Sequence, residues 1–400
     1  MAQYTYKVEL ETNTGFILDT DKLDTGTLGY LLQDVTQYVR SVSTRRGKST
    51  LQGKFTAGQM TVVFDNRSRA FDPKYTSSPY NGSIVPRRRI IFSMGDASNP
   101  GAVVPQFTGW IDDWNLSYDV SGDSTSTAQC SDAFTILANQ NVNLTGLTAE
   151  TSSVRITRVL NASSVQWPSD KTQIGFGTFQ IGTATYNGNA LDYMQQVSDS
   201  EAAYLFINSY GEVTFSTWNY LAIASSYGSP DASFSTTPGT ALPINALEVL
   251  YGTEELVNNA TVSGGAGTVT VQDTTSQQTY RIASESYPSL VSSVGEMTTL
   301  GNFYITNYAN PKYRISQLEV SADNPVIKSF AGPLLNGLFG FFSLDIGNVV
   351  SVEWTPNSIG SAITQKSFIT GIDIDATPES CTYRFAISGE DTRDAYVSPF

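Results

Sequence analysis

Short apolar–polar alternations broken by turn residues run through most of this chain, and they leave room for little but a β architecture. Tyr4, Tyr6, Val8 and Leu10 alternate with Thr5, Lys7, Glu9 and Glu11, the period of a strand with one buried face. Gln59 to Asp65 reads as a further strand stopped by Asp65-Asn66, and Ile90-Ile91-Phe92 and Phe107 to Trp114 follow. Turn signals at roughly 8–15-residue spacing predict a barrel or sandwich over residues 1–134. The composition agrees, with 21 Tyr and 20 Phe, residue types that favour strands. Charged residues make up only 15% of the chain, against the ~25% of an ordinary soluble domain. A large chain so short of charge is expected to meet protein over much of its surface, because charge is depleted in interface cores.

The pattern changes near residue 130. Ser131-Asp132 is placed to cap a short helix from Ala133 to Asn139, and Ser152-Ser153 precede a second from Val154 to Leu160. Asn187 or Asn189 starts a third, with Leu191, Met194 and Val197 at helical spacing. Ala203 to Ile207, Asn208 to Gly211 and Val213 to Thr217 read as a hairpin with Gly in its turn. Residues 135–225 are therefore expected to form a small α+β domain, and the Ser/Gly/Pro-rich stretch 226–243 a linker. Beyond it, residues 244–400 return to strand patterns, with a strand and loop subdomain inserted at about 265–330. Ser263 to Gly267 is a tight turn, and Tyr304 to Val320 reads as strands split by Asn310-Pro311. A length of 400 residues fits two to four domains.

Several functions are excluded by what is missing. The chain has no His, so it has no His general base and no His metal ligand. Cys130 and Cys381 lie far apart, neither in a CxxC pair, so no zinc ligand set exists. The net charge of −14 argues against specific nucleic-acid binding. No apolar run approaches the ~18 residues that cross a bilayer, and Met1-Ala2-Gln3-Tyr4 starts no basic-then-apolar leader. The expectation is a protein made in a cytoplasm, without membrane insertion, with its two thiols reduced.

Two segments echo each other. The first holds RRRIIFSMG and then QFTGWIDDW, ending near Cys130; the second holds GNVVSVEWT and then SFITGIDID, ending near Cys381. Thr108-Gly109 before Ile111-Asp112 matches Thr370-Gly371 before Ile372-Asp373 with an offset of one residue. Such an echo predicts two related β-barrels, one near each end. Three chains about an axis would then present six similar barrels in a pseudo-sixfold ring.

Further residues stand in a telling order and spacing: Asp34-Val35-Thr36, Arg46-Gly47, Asp65-Asn66, Phe71-Asp72-Pro73 and Phe107-Thr108-Gly109, then Ser200-Glu201, Asn258-Asn259, Asp273 with Ser276, and Gly371-Ile372-Asp373. This series resembles that of bacteriophage tail hub proteins: minor tail proteins of siphophages and gene-transfer particles, and baseplate hubs of contractile tails. The resemblance implies a mainly β fold, two tube-like β-barrels per chain plus smaller domains, and a homotrimeric structural virion protein without catalysis or cofactor. That trimer would sit at the tail tip on the DNA exit path, adapting a sixfold tube to a threefold tip. Its implied partners are the distal tail or tube ring protein, the tape measure protein and a fibre or spike protein. Many members carry extra C-terminal fibre-attachment or peptidase domains; with the chain ending at Phe400, such activity is expected on another protein. The alternative is a receptor-binding tail protein recognising host surface glycan, which the Tyr and Trp content permits.

Arg45 and Arg46 with Lys48, and Arg87-Arg88-Arg89, concentrate positive charge in an acidic chain and are the expected inter-subunit contacts. Trp110 and Trp114 join them: four apart on a strand, both would face one side. Asp112-Asp113, and Asp373 with Asp375, are paired carboxylates, but no aromatic sugar platform accompanies them and structural roles are expected. Asp19, Asp21 and Asp24 before Gly26 hint at a Ca²⁺ loop and fail its ligand pattern, because Leu23 and Tyr30 fall where oxygen ligands belong. Gly264 to Gly267 lacks the ending of a phosphate loop and is read as a turn. No catalytic, cofactor or metal residue is assigned.

Overall fold

Strands from both ends of the chain hydrogen-bond into one sheet. The computed structural model describes residues 3–12, 31–48, 52–217, 230–237, 241–329 and 337–389; the Asp19–Asp24 loop lies outside them. Among the described residues the sheet has 14 strands. Seven come from the N-terminal part: β1 (Tyr4–Glu11), β2 (Leu32–Asp34), β3 (Val39–Gly47), β4 (Thr56–Asp65), β5 (Arg89–Asp96), β6 (Val103–Ser117) and β7 (Thr125–Ser131). Seven come from the C-terminal part: β8 (Ala232–Ser235), β9 (Leu242–Pro243), β10 (Ala246–Leu250), β11 (Arg314–Ser321), β12 (Val349–Trp354), β13 (Ile363–Ala376) and β14 (Cys381–Gly389).

The two sets share one strand order. The first runs β3-β4-β7-β6-β5-β1-β2, and the second runs β10-β11-β14-β13-β12-β8-β9. They differ in direction at one end, where β8 lies parallel to β12 and β9 parallel to β8, while β1 and β2 pair antiparallel. The sequence echo falls on the matching meanders β5-β6-β7 and β12-β13-β14, whose long central strands each carry one bulge against the third strand. The cysteines are not equivalent: Cys130 is near the end of β7 and Cys381 opens β14, both as buried free thiols.

Among the described residues neither set closes into a barrel through a strand ladder. β2 leads through Val35 and a 3-10 turn (Thr36–Tyr38) directly into β3, and β9 leads through Ile244-Asn245 directly into β10. Each module is thus an open seven-strand sheet whose ends are joined by the chain itself. The modules are fused rather than separate, because β3 pairs antiparallel with β13, from Gly47 opposite Gly371 to Val42 opposite Ala376. Alternation explains the strands locally. On β4, Met60, Val62 and Phe64 are buried while Gln59, Thr61 and Val63 point outward. Burying each such side chain stabilises by about 1.5–3 kcal/mol.

An α+β unit sits between β7 and β8. Its helices are α1 (Ala133–Leu137), capped by Asp132, α2 (Ser152–Leu160), and α3 (Ala190–Asp199), capped by Asn189. A hairpin of Tyr204–Ile207 with Val213–Ser216 follows, its turn closed by Gly211 at φ +79°. A second insert lies between β10 and β11. It is a sheet of Asn259–Gly264, Gly267–Gln272 and Ser284–Pro288 with α4 (Thr274–Tyr280) and α5 (Val294–Tyr308). Two short helices, α6 (Pro325–Ser329) and α7 (Gly337–Phe342), connect β11 to β12.

Three expectations change. Residues 232–235 and 242–243, inside the expected linker, are strands; residues 226–229 and 238–240 lie outside the described residues. The second insert begins at Asn259, ahead of 265. Tyr304 to Tyr308 close a 15-residue helix instead of opening a strand. That helix is rich in Thr, Tyr and Phe, which locally favour strands, and is decided by packing: Met297, Leu300, Gly301, Phe303 and Tyr308 are buried. Among the described residues no helix is long and apolar enough to cross a membrane.

Candidate functional site

The seam between β3 and β13 gathers Arg45, Arg46, Lys48, Asp373 and Asp375 from the charged residues singled out in sequence. On its outer face Arg45 lies 3.8 Å from Asp373, and Ser43 donates to Asp375 (2.7 Å). Arg384 on β14 bridges Asp375 (2.7 Å) and Glu319 on β11 (3.1 Å). Burial pushes the Asp373 carboxyl above its usual range against the pull of Arg45 and Arg384. Arg45, Asp373 and Arg384, with Lys48, Lys54 and Glu248, line a cleft of about 510 Å³. The paired carboxylates do share a face, as the spacing predicts, and each has a cation beside it.

Arg46 takes the opposite face. It is buried, with Nη1 2.8 Å from Asp345 Oδ1, in an ion pair that forms no aligned hydrogen bond. An inward-facing Arg46 is held within the chain and leaves Arg45 as the surface member of the pair. Asp345 also accepts from Ser209 N (2.8 Å), tying the hairpin of the α+β unit to the same point. Next to it Asp132 accepts from Gly58 N (2.7 Å) and Phe134 N (2.9 Å), and burial pushes its carboxyl up to about 7. Lys48 holds its ammonium over the rings of Phe55 (5.3 Å) and Tyr204 (4.8 Å), and burial lowers it to about 8.

The second basic cluster lies at the start of β5. Arg87 pairs with Asp112 (3.2 Å), Arg88 with Glu11 (3.5 Å), and Arg89 N donates to Glu11 (3.3 Å). Arg87 and Arg88 also continue the β5 side of the ladder onto Ile111, Arg87 N donating to its carbonyl and Ile111 N to that of Arg88. Trp110 and Trp114 do not share a face. The bulge between Ile111 and Asp113 inserts one residue, so alternation flips. Trp114 then packs inward against Phe64 and Phe71, with centroids 5.9 Å away in each case, while Trp110 lies on the other face, partly buried.

Other residues of the resemblance tie segments together within a unit, and one of them ties two units. Asn66 Oδ1 accepts from Phe71 N (3.0 Å), folding the loop so that Phe71 stacks on Phe64 at 4.3 Å. Glu201 is buried, where it accepts from the Ser152 hydroxyl and from Thr178 N (2.8 Å). Ser200 Oγ accepts from Leu290 N (2.8 Å), linking the α+β unit to the second insert. Asn258 donates to Ser276 Oγ (3.0 Å) and accepts from Ala283 N (2.8 Å), and Asp273 caps α4. The Gly264–Gly267 stretch is the hairpin turn expected, with Gly267 at φ +114°. Sequence reasoning misses Asp345 and Gln106. Gln106 accepts from Tyr383 Oη (3.2 Å) and donates to Phe342 O (2.7 Å). Partners more than 130 positions away leave no local signal. Among the described residues no group of three or more Cys, Asp or Glu could hold a metal ion.

No protein-family model matches the sequence, and no curated protein matches it. Solved structures do. A tail protein from Neisseria meningitidis MC58 superposes with a TM-score of 0.61 at 10% identity, over 98% of both chains. The 43 kDa tail protein of prophage MuSo2 from Shewanella oneidensis gives 0.56 at 12% identity, over 97% of this chain and 99% of that one. A chain of the half-lidded Francisella PdpA–VgrG complex gives 0.50 at 10% identity, over 99% of this chain and 60% of that one. With its two matching β modules, its fused sheet and its two inserts, the chain has the mainly β fold of phage tail proteins.

Proposed function

We propose that this chain is a structural hub of a phage tail tip or baseplate, acting as a homotrimer. The observation that carries this is the repeat of one seven-strand order within one chain. Three copies of a two-module chain supply six similar modules to a sixfold tube on one side and only three copies of each insert on the other. The hub thereby adapts a sixfold tube to threefold fibres or a spike, beside the tape measure protein and around the DNA exit path. The work is geometric and needs no catalysis: the acidic side chains of the seam are each held by a cation or hydroxyl, as structural charges are. The acidic chain would line such a path without binding phosphate.

Cryo-electron microscopy of the assembled tail tests this. The expected result is three copies on the tail axis, stacked against a sixfold ring. Six copies in one ring, or copies off the axis on the tail flank, would overturn it.

A further inference from the structure

The order shared by the modules says which strands meet between copies. Matching β3 to β10 and β6 to β13 makes the seam within the chain a contact of one module's third strand with the next module's sixth. Repeating that step once more brings β10 of one copy to β6 of the next. Both strands are prepared for it. β10 pairs on one edge alone, with β11, among the described residues. β6 pairs with β5 as far as Trp110 and Arg87–Arg88 occupy Ile111, which leaves the same edge without a strand partner over residues 113–117 among the described residues. β13 makes the corresponding exchange within the chain: it pairs with β12 up to Phe368 and with β3 from Gly371 onward.

The side chains agree with this. At the internal seam the inward residues Ile372, Ile374, Val42 and Arg46 are buried. On the two open edges the inward residues Leu247, Val249, Trp114 and Leu116 are only half-buried. Open edges with apolar residues along them are sites of strand addition.

We propose that in the trimer β10 pairs antiparallel with residues 113–117 of a second copy, in the register Glu248 opposite Asn115. This rests on the trimer reading above and names its interface. The register sets Leu247 against Leu116 and Val249 against Trp114 on the inner face. A slip of two residues one way would set Glu248 against Asp113, two carboxylates face to face. A slip of one would turn Leu247 and Val249 to the polar side. The ring then holds three seams inside chains and three between them, all of one kind.

Disulfide trapping tests it in the full chain. Glu248 and Asn115 are both exposed, and Cys130 and Cys381 are buried, so wild type supplies the background. E248C/N115C should shift most of the chain, on oxidation, into reducible bands ending at three chains. E248C/D113C should cross-link at least tenfold more slowly. S43C/D375C, opposite each other at the internal seam, should close within one chain. If light scattering shows a trimer while E248C/N115C stays single on the gel, this interface is overturned and the trimer reading stands. A protein that is monomeric at every concentration and gives no cross-link overturns both. A ladder running past three chains overturns the closed ring.

Discussion

Gly47 and Gly371 face each other across the seam that fuses the two β modules, and neither has room for a side chain. Gly47 has φ +97°, and a methyl group there would lie 2.6 Å from Gly371 Cα and closer still to Thr370 O. A methyl on Gly371 would lie 2.8 Å from Lys48 O. Backbones this close let β13 leave β12 and take up β3 within three residues, and Lys48 N donates to Thr370 O (2.9 Å) at the crossing.

Gly47→Ala is therefore expected to destabilise the chain by at least ~2 kcal/mol, from the left-handed backbone and the clash together. Gly252→Ala, with open space around it and no positive φ, should be near neutral. Chemical denaturation of the two variants beside wild type checks this; equal midpoints for all three would show that the seam yields.

Asp345→Ala should cost more than Arg46→Met. Removing the acid leaves a buried guanidinium unpaired and frees Ser209 N, whereas Met replaces the cation by an apolar side chain of similar length. Breaking one side of a buried pair costs roughly 3–5 kcal/mol. The double variant should recover part of the loss of Asp345→Ala, and a double-mutant cycle measured by urea unfolding reads the coupling. Strict additivity would mean that the pair contributes nothing.

Asp132 makes stability depend on pH. Its carboxyl holds a proton up to about pH 7 in the fold, against a usual value of 3.8. From about pH 4 to 7 the folded chain binds one more proton at this site than the unfolded chain, so the contribution of Asp132 falls as pH rises. The full change is on the order of 4 kcal/mol. Asp132→Asn keeps one acceptor for the helix cap and has nothing to titrate. Its deficit relative to wild type, followed by thermal unfolding across that range, should shrink as pH rises. A constant gap would assign the site an ordinary carboxylate.

Glu201→Gln is nearly isosteric and should still destabilise by about 1–3 kcal/mol, since the amide turns a donor toward hydroxyl and backbone donors that the carboxylate accepts from. Hydrogen exchange should rise at Thr178 and at the start of α2 before it rises in the 14-strand sheet. Uniform loss of protection over the whole chain would mean that the α+β unit has no local stability of its own.

The sequence by itself determined the parts that depend on near neighbours. Alternation marks β1 and β4, Asp132 and Asn189 stand where helix caps are needed, and Gly211 and Gly267 mark their turns, because these need only a few adjacent residues. The echo of Thr108-Gly109 in Thr370-Gly371 also reached as far as two related meanders. Only the tertiary structure decided the rest. One extra residue at the Asp112 bulge sends Trp110 and Trp114 to opposite faces, which spacing alone predicts wrongly. α5 is a helix because Gly301 and its neighbours pack on Val262 and Val271, against the strand preference of its own residues. The fusion of the modules through β3 and β13, and the burial of Arg46 on Asp345, join residues about 300 positions apart, and no local preference encodes which distant strand edge or carboxylate will arrive.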